Sequence, residues 1–295
     1  MALRAVKPSL IEKRLKALFY GNAGVGKTTA SISFPGVYLI DTERGAENSQ
    51  YVKILEANNG AIFQTNDFDE MIKEIKSLMT EKHEYKTLVI DPLTTLYNDL
   101  LDKCAAQLKA SAKEKDATGT EFGRHYGEAN KKMKHLLTLL LRLDMNVIIT
   151  SHAKNEYAGN MTVVGTTFDC YKKLDYLFDL VFEIQKRGKE RVGIVKKSRI
   201  ETLPDGEQFP FSYSEIANRY GKDVLEREAI SEKLATPEQV SRLKELIDIY
   251  KEPEEVTQKW LDKANAETFE EVNETIILKL ISHMESRLIK KDNAA

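Results

Sequence analysis

Short β-rich apolar runs recur along the first two-thirds of the chain, and stretches of helical period separate them. The runs at Leu15–Tyr20, Val37–Asp41, Ala61–Phe63, Thr87–Asp91, Asn146–Thr150, Leu180–Gln185 and Arg191–Lys197 predict strands. Apolar positions spaced by three and four predict helices over Phe68–Met79, Leu93–Leu108 and Ala129–Leu143. In the last of these, Met133, Leu136, Leu137, Leu140 and Leu141 form a stripe expected to pack in a core. Strands alternating with helices specify an α/β fold with a mostly parallel sheet and crossover helices. The last two runs, joined through Arg187-Gly188-Lys189, predict an antiparallel hairpin at the sheet edge.

Two segments break this alternation. Residues 111–120 are polar and aperiodic, and residues 153–168 contain Gly159 and Gly165, so both are expected to be long loops. Loops of that length inside a compact fold usually carry function or are disordered. After about residue 230 the pattern changes. Thr236 as N-cap, Pro237 at the first helical position and Glu238 in the first turn start a helix, with Leu243, Leu246, Ile247 and Tyr250 on one face. A further helix is expected from Phe269 to Ile289. The expected organisation is therefore a core over residues 1–229 and a small helical domain over 230–295, with Trp260 in the core of the latter.

Composition narrows the class without deciding it. At 295 residues the chain can bury one large core and still form a small second domain. Hydrophobic residues make up 42% and charged residues 31%, ordinary for a soluble globular protein, and no apolar run approaches the ~18 residues of a membrane span. Neither a secretory signal nor a CxxC is present; Cys104 and Cys170 are expected to be buried small hydrophobes, and the cytoplasm is the expected compartment. The formal net charge of −2 hides a basic stretch, Lys172–Arg199, which suits either a solvated face or a polyanion partner.

The chemistry begins at Gly21-Asn22-Ala23-Gly24-Val25-Gly26-Lys27-Thr28, a complete phosphate-binding loop between a strand and a helix-compatible segment. Glycines let the backbone curl until successive N–H groups face a polyphosphate. Lys27 would reach the β- and γ-phosphates and the Thr28 hydroxyl would ligate Mg²⁺; Thr29 completes the nucleotide-binding set. Thr87-Leu88-Val89-Ile90-Asp91 is an apolar strand ending in aspartate about 60 residues after the loop, the position of a Walker B acid, and Asp91 would hold Mg²⁺ through its water shell.

Two further polar tips follow from the strand pattern. Glu43 ends the run Tyr38-Leu39-Ile40-Asp41-Thr42-Glu43, a strand expected beside the first. There it either orients and deprotonates the attacking water or is an exposed acid at a strand end. His152, after Asn146–Ser151, either senses the γ-phosphate and signals to the loop at 153–168 or is a structural hydrogen-bonder.

This order of elements resembles the ATPase core of the RecA-type recombinases, and more closely the single-core RecA-like proteins of bacteriophages that assist single-strand annealing. The phosphate loop and Ile40-Asp41-Thr42-Glu43 carry the resemblance, which covers about residues 14–215. It implies an ATP- and Mg²⁺-dependent enzyme that binds single-stranded DNA as a homo-oligomer with ATP at subunit boundaries. It also allows a single-strand-binding protein as partner, and host cytoplasm as the location if the chain is phage-encoded. Residues 113–127 and 153–168 would be the DNA-facing loops. Arg124, His125, Tyr126, Lys154, Asn155, Tyr157 and Asn160 would then meet phosphates and bases, although Tyr126 and Tyr157 equally suit packing at loop bases. Lys197 and Arg199 match a pair that such assemblies insert into a neighbour's ATP site; on a strand they share a face, and a basic edge strand is the other reading. The chain departs from the family in having only about 14 residues before the core, with no clear polymerisation motif. The rival classes are a nucleotide switch or helicase loader and, less well matched, a small-molecule phosphotransferase.

Overall fold

The computed structural model describes residues 13–111, 123–159 and 162–292. Of the expected loop at 111–120, Ser111 ends a helix and the remainder lies outside the described residues, as do most of the first DNA-facing loop and Asn160. Nine strands form the sheet among the described residues: β1 (Lys16–Gly21), β2 (Val37–Asp41), β3 (Ala61–Gln64), β4 (Thr87–Asp91), β5 (Asn146–Tyr157), β6 (Val163–Phe168), β7 (Leu180–Arg187), β8 (Glu190–Ser198) and β9 (Gln208–Pro210). The helices are α1 (Lys27–Ile32), α2 (Ser49–Ala57), α3 (Phe68–Thr80), α4 (Leu93–Ser111), α5 (Arg124–Arg142), α6 (Leu174–Leu177), α7 (Tyr213–Tyr220), α8 (Lys222–Glu226), α9 (Pro237–Tyr250), α10 (Glu254–Ala264) and α11 (Glu274–Asp292).

Every predicted strand is present, and the spatial order is β3-β2-β4-β5-β1-β7-β8-β9, with β6 paired to β5. The strands from β3 to β7 run parallel; β8, β9 and β6 are antiparallel to their neighbours. The β7–β8 hairpin turns at Gly188 as expected. One expectation fails: β2 does not run beside β1, because β4 and β5 lie between them. Apolar runs identify strands but say nothing of their order, and in a doubly wound sheet the order reverses about the first strand.

The segment at 153–168 is also not a loop. β5 continues through Lys154, Asn155 and Tyr157 and pairs with β6 as an exposed hairpin. With both faces partly open, these strands lack the apolar signal from which burial is inferred. Likewise α5 starts at Arg124 rather than Ala129, since its first turn is polar, and Leu141 of the expected stripe is exposed while Leu139 is buried.

The chain divides into two compact units. The first, residues up to Met71, Glu84–Ala129 and Asp144–Ala229, holds the sheet. Its core is aromatic: Phe19 of β1 meets Phe211 edge-on at 5.0 Å between centroids and Phe182 at 5.7 Å, geometry that the ring quadrupoles favour. The second comprises Ile72–His83, Asn130–Leu143 and residues from Ile230 onward. Thr236 and Gln239 form a reciprocal capping box that starts α9, so the expected N-terminus is confirmed in detail. Leu243, Leu246, Ile277 and Met284 fill the core of this unit. Trp260 packs against that cluster as a half-buried side chain and does not sit at its centre. The helix expected from Phe269 is a 3-10 turn, Phe269–Glu271, followed by α11 from Glu274.

Candidate nucleotide site

β1 delivers the phosphate loop from the middle of the sheet. A Cβ at Gly21 would stand 2.4 Å from the Ile184 carbonyl oxygen, so only glycine lets the loop leave the strand here. Gly26 has φ +94° and lies under the Arg191 side chain, whose Nε would be 3.0 Å from a Cβ. The Lys27 ammonium folds over the loop, donating to the carbonyls of Gly21 at 2.8 Å and Asn22 at 3.0 Å. Its burial lowers its pKa, while the Asp91 and Glu43 charges pull the other way. Thr29 is exposed on the outer side of the loop.

Asp91 ends β4 and is the hub of the site. Its carboxylate accepts from the Thr28 hydroxyl at 2.6 Å and from the Thr150 hydroxyl of β5. Burial raises its pKa against these bonds, which leaves a carboxylate short of positive charge. A hydroxyl and a buried carboxylate side by side are a hard-oxygen donor set that fits Mg²⁺, with water and phosphate supplying the remaining ligands. No cluster of three or more His, Cys, Asp or Glu suited to hold a metal by itself occurs among the described residues.

Glu43 reaches this centre although two strands, β4 and β5, separate β2 from β1. Asp41 makes that possible: its carboxylate accepts from the backbone N–H groups of Glu43, Gly45 and Ala46, which turns the chain sharply after β2. Glu43 then accepts from the Thr95 hydroxyl at 2.5 Å and lies 3.5 Å from His152 Nε2. His152 pairs in register with Gly21, and its N–H donates to Thr94 Oγ1 at 3.0 Å. Thus Lys27, Thr28, Asp91, Glu43 and His152 converge at the carboxyl ends of β1, β2 and β4 and at the point where β5 leaves β1, the side on which open α/β sheets bind ligands.

Lys197 and Arg199 lie elsewhere. Ser198 pairs with Leu180, at the strand ends opposite the phosphate loop. Lys197 donates to the carbonyls of Asp175 and Phe178; Arg199 donates to Tyr176 O at 2.8 Å and approaches Asp179. Arg124, His125 and Tyr126 form the first turn of α5, the latter two rings in tilted contact with centroids 4.2 Å apart. Lys154, Asn155 and Tyr157 sit on the β5–β6 hairpin, where Lys154 pairs with Asp169 at 3.0 Å.

A protein-family model described as an AAA domain matches residues 13–205, more than half of the chain. The chain belongs to the AAA-domain family. The matched span includes every element of the nucleotide site, so the geometry and the family agree on a P-loop NTPase. No curated protein matches the chain. Among solved structures, the crystal structure of the RadB recombinase is similar with a TM-score of 0.42 and 20% identity, over 66% of this chain and 84% of that one, a likeness too slight to bear on function.

Three residues of the site went unread in the sequence. Thr150 and Thr95 are hydroxyls whose partners are distant in sequence, and nothing local marks them. Arg191, at the start of β8 and against Gly26, was assigned only to a strand.

Proposed function

We propose that this protein is a Mg²⁺-dependent RecA-like ATPase that binds single-stranded DNA in homologous recombination or single-strand annealing. The observation that carries the catalytic part is the Glu43–Thr95–His152 group set beside the Thr28–Asp91 pair. Triphosphate binding would draw Lys27 off the Gly21 and Asn22 carbonyls and favour its charged form. Mg²⁺ held by Thr28 and Asp91 would neutralise charge developing on the phosphoryl oxygens. Glu43, oriented by Thr95, would accept the proton of the attacking water, and His152 would register the state of that carboxylate for the β5–β6 hairpin it begins.

The order of elements and the exposed polar and aromatic residues of that hairpin, Lys154, Asn155 and Tyr157, support the DNA reading, with Arg124, His125 and Tyr126 at the start of α5. Lys197 and Arg199 would serve a neighbouring subunit's ATP in an oligomer, which requires them to leave their present partners. A core over residues 1–229 with a helical domain from 230 remains the organisation we favour for the separable functions. Among the described residues no helix is long and apolar enough to cross a membrane.

The test is ATP hydrolysis with and without single-stranded DNA over a range of salt. Stimulation that fades steeply as salt rises is expected, because phosphate contacts release counterions. Lys27→Ala should abolish nucleotide binding. Turnover indifferent to DNA at low salt would remove the recombination reading and leave only the NTPase.

A further inference from the structure

A groove of about 510 Å³ opens against the outer side of the phosphate loop. Gly26, Thr29 and Ser33 line one wall, Lys189 and Arg191 another, and Tyr213 the end. Its size is within the range of small-molecule sites. The lining carries two cations, several hydroxyls and no carboxylate.

The strand order says which end of a triphosphate would come here. Lys27 and Thr28 serve the β- and γ-phosphates, and Asp91 and Glu43 lie on the β4 and β2 side of β1. The γ-phosphate therefore points toward β4. The α-phosphate and the nucleoside must leave the loop on the opposite side, toward β7 and β8, where Arg191 lies over Gly26. Arg191 is half-buried, and its Nη1 approaches the Lys189 carbonyl at a long 3.5 Å. A planar guanidinium there can stack on a base or bond a ribose hydroxyl.

We propose that this groove holds the nucleoside end of the nucleotide and that Arg191, supplied by the same subunit, is its principal binding residue. The proposal rests on the phosphate-loop reading. Arg191 presents N–H donors and a flat face, and no carboxylate lines the groove to read guanine's donors, so adenine and guanine nucleotides gain from it alike.

The experiment compares the affinities of MgATP, MgGTP and inorganic tripolyphosphate for the full chain and its variants by calorimetry, with thermal melting as a check on folding. Arg191→Ala should weaken MgATP and MgGTP by roughly tenfold each and leave tripolyphosphate unchanged. Arg191→Lys, which keeps charge but loses the plane, should fall between. Equal loss for tripolyphosphate would make Arg191 a phosphate contact or a strut for Gly26 and overturn the proposal, as would no loss at all. Lys27→Ala, by contrast, should lose all three ligands; retention of MgATP there would overturn the phosphate-loop reading itself.

Discussion

Lys16 gives the sharpest quantitative test of the structure. It sits in β1, five residues before the phosphate loop, and is buried, with its ammonium donating to the Met145 carbonyl at 2.8 Å. Burial lowers its pKa from 10.5 to about 7; the Asp144 and Asp179 charges oppose the shift, and Arg14 adds to it. In the unfolded chain the group keeps its proton up to its ordinary value. Between about pH 7 and 10.5 the unfolded state therefore binds more protons, and stability must rise with pH through that window. Below it both states are charged and the folded protein bears the full penalty. The slope approaches ~1.4 kcal/mol per pH unit, on the order of 5 kcal/mol across the window. Lys16→Met keeps the length of the side chain and removes the titration. Loss of the bond to Met145 shifts the variant's stability by an amount independent of pH, so only the difference in slope matters. Urea unfolding of both proteins followed by circular dichroism at pH 6.5, 7.5 and 8.5 measures it. Wild-type stability should gain on the variant at each step. A difference that stays flat over this range would show that Lys16 keeps an ordinary pKa, and the burial argument would fail.

Other expectations follow from single contacts. Glu43→Gln should bind MgATP normally and hydrolyse it roughly 10²–10⁴-fold more slowly; wild-type turnover would remove Glu43 as the base. Thr95→Val should lower kcat about fivefold to tenfold with little change in KM, since it only lets Glu43 drift; a rise in KM alone would make Thr95 a substrate contact. Phe19→Ala removes the ring shared by Phe34, Phe182 and Phe211 and should cost ~3–5 kcal/mol of stability, read from denaturant midpoints.

How far the sequence could be read depended on whether burial marks a residue. Buried strands and the phosphate loop were legible because each declares itself locally, the one by apolar runs and the other by fixed spacing. Helix α2 was not, since only Leu55 is buried in it, and the strand character of 153–168 was hidden by open faces. Glu43 was found for a reason that proved wrong: β2 is not next to β1, and the turn at Asp41 brings the carboxylate across instead. Lys197 lies on β8 but Arg199 falls just past its end at Ser198, and the position of that end relative to the loop depends on antiparallel register, which one sequence does not display.

The site's precision depends on β5 more than on the loop itself. This strand pairs with β1 on one side and β4 on the other, Gly21 opposite His152 and Ile90 opposite Ile149. Thr150 and His152 are two apart and so share a face, the first bonding Asp91 and the second approaching Glu43. Ser151 between them is buried and bonds Thr94 at 3.1 Å, while its hydroxyl also accepts from the Asp169 N–H. A slip of one residue in β5 would exchange these faces and separate Asp91 and Glu43 from both partners at once. The same strand runs on without a break into the hairpin that carries Lys154 and Tyr157. If His152 moves relative to Glu43, the expected consequence is a displacement of that hairpin, since the two lie on one continuous strand. That continuity, absent from the expectation of a long loop, makes β5 the segment that joins the nucleotide site to the surface proposed for DNA.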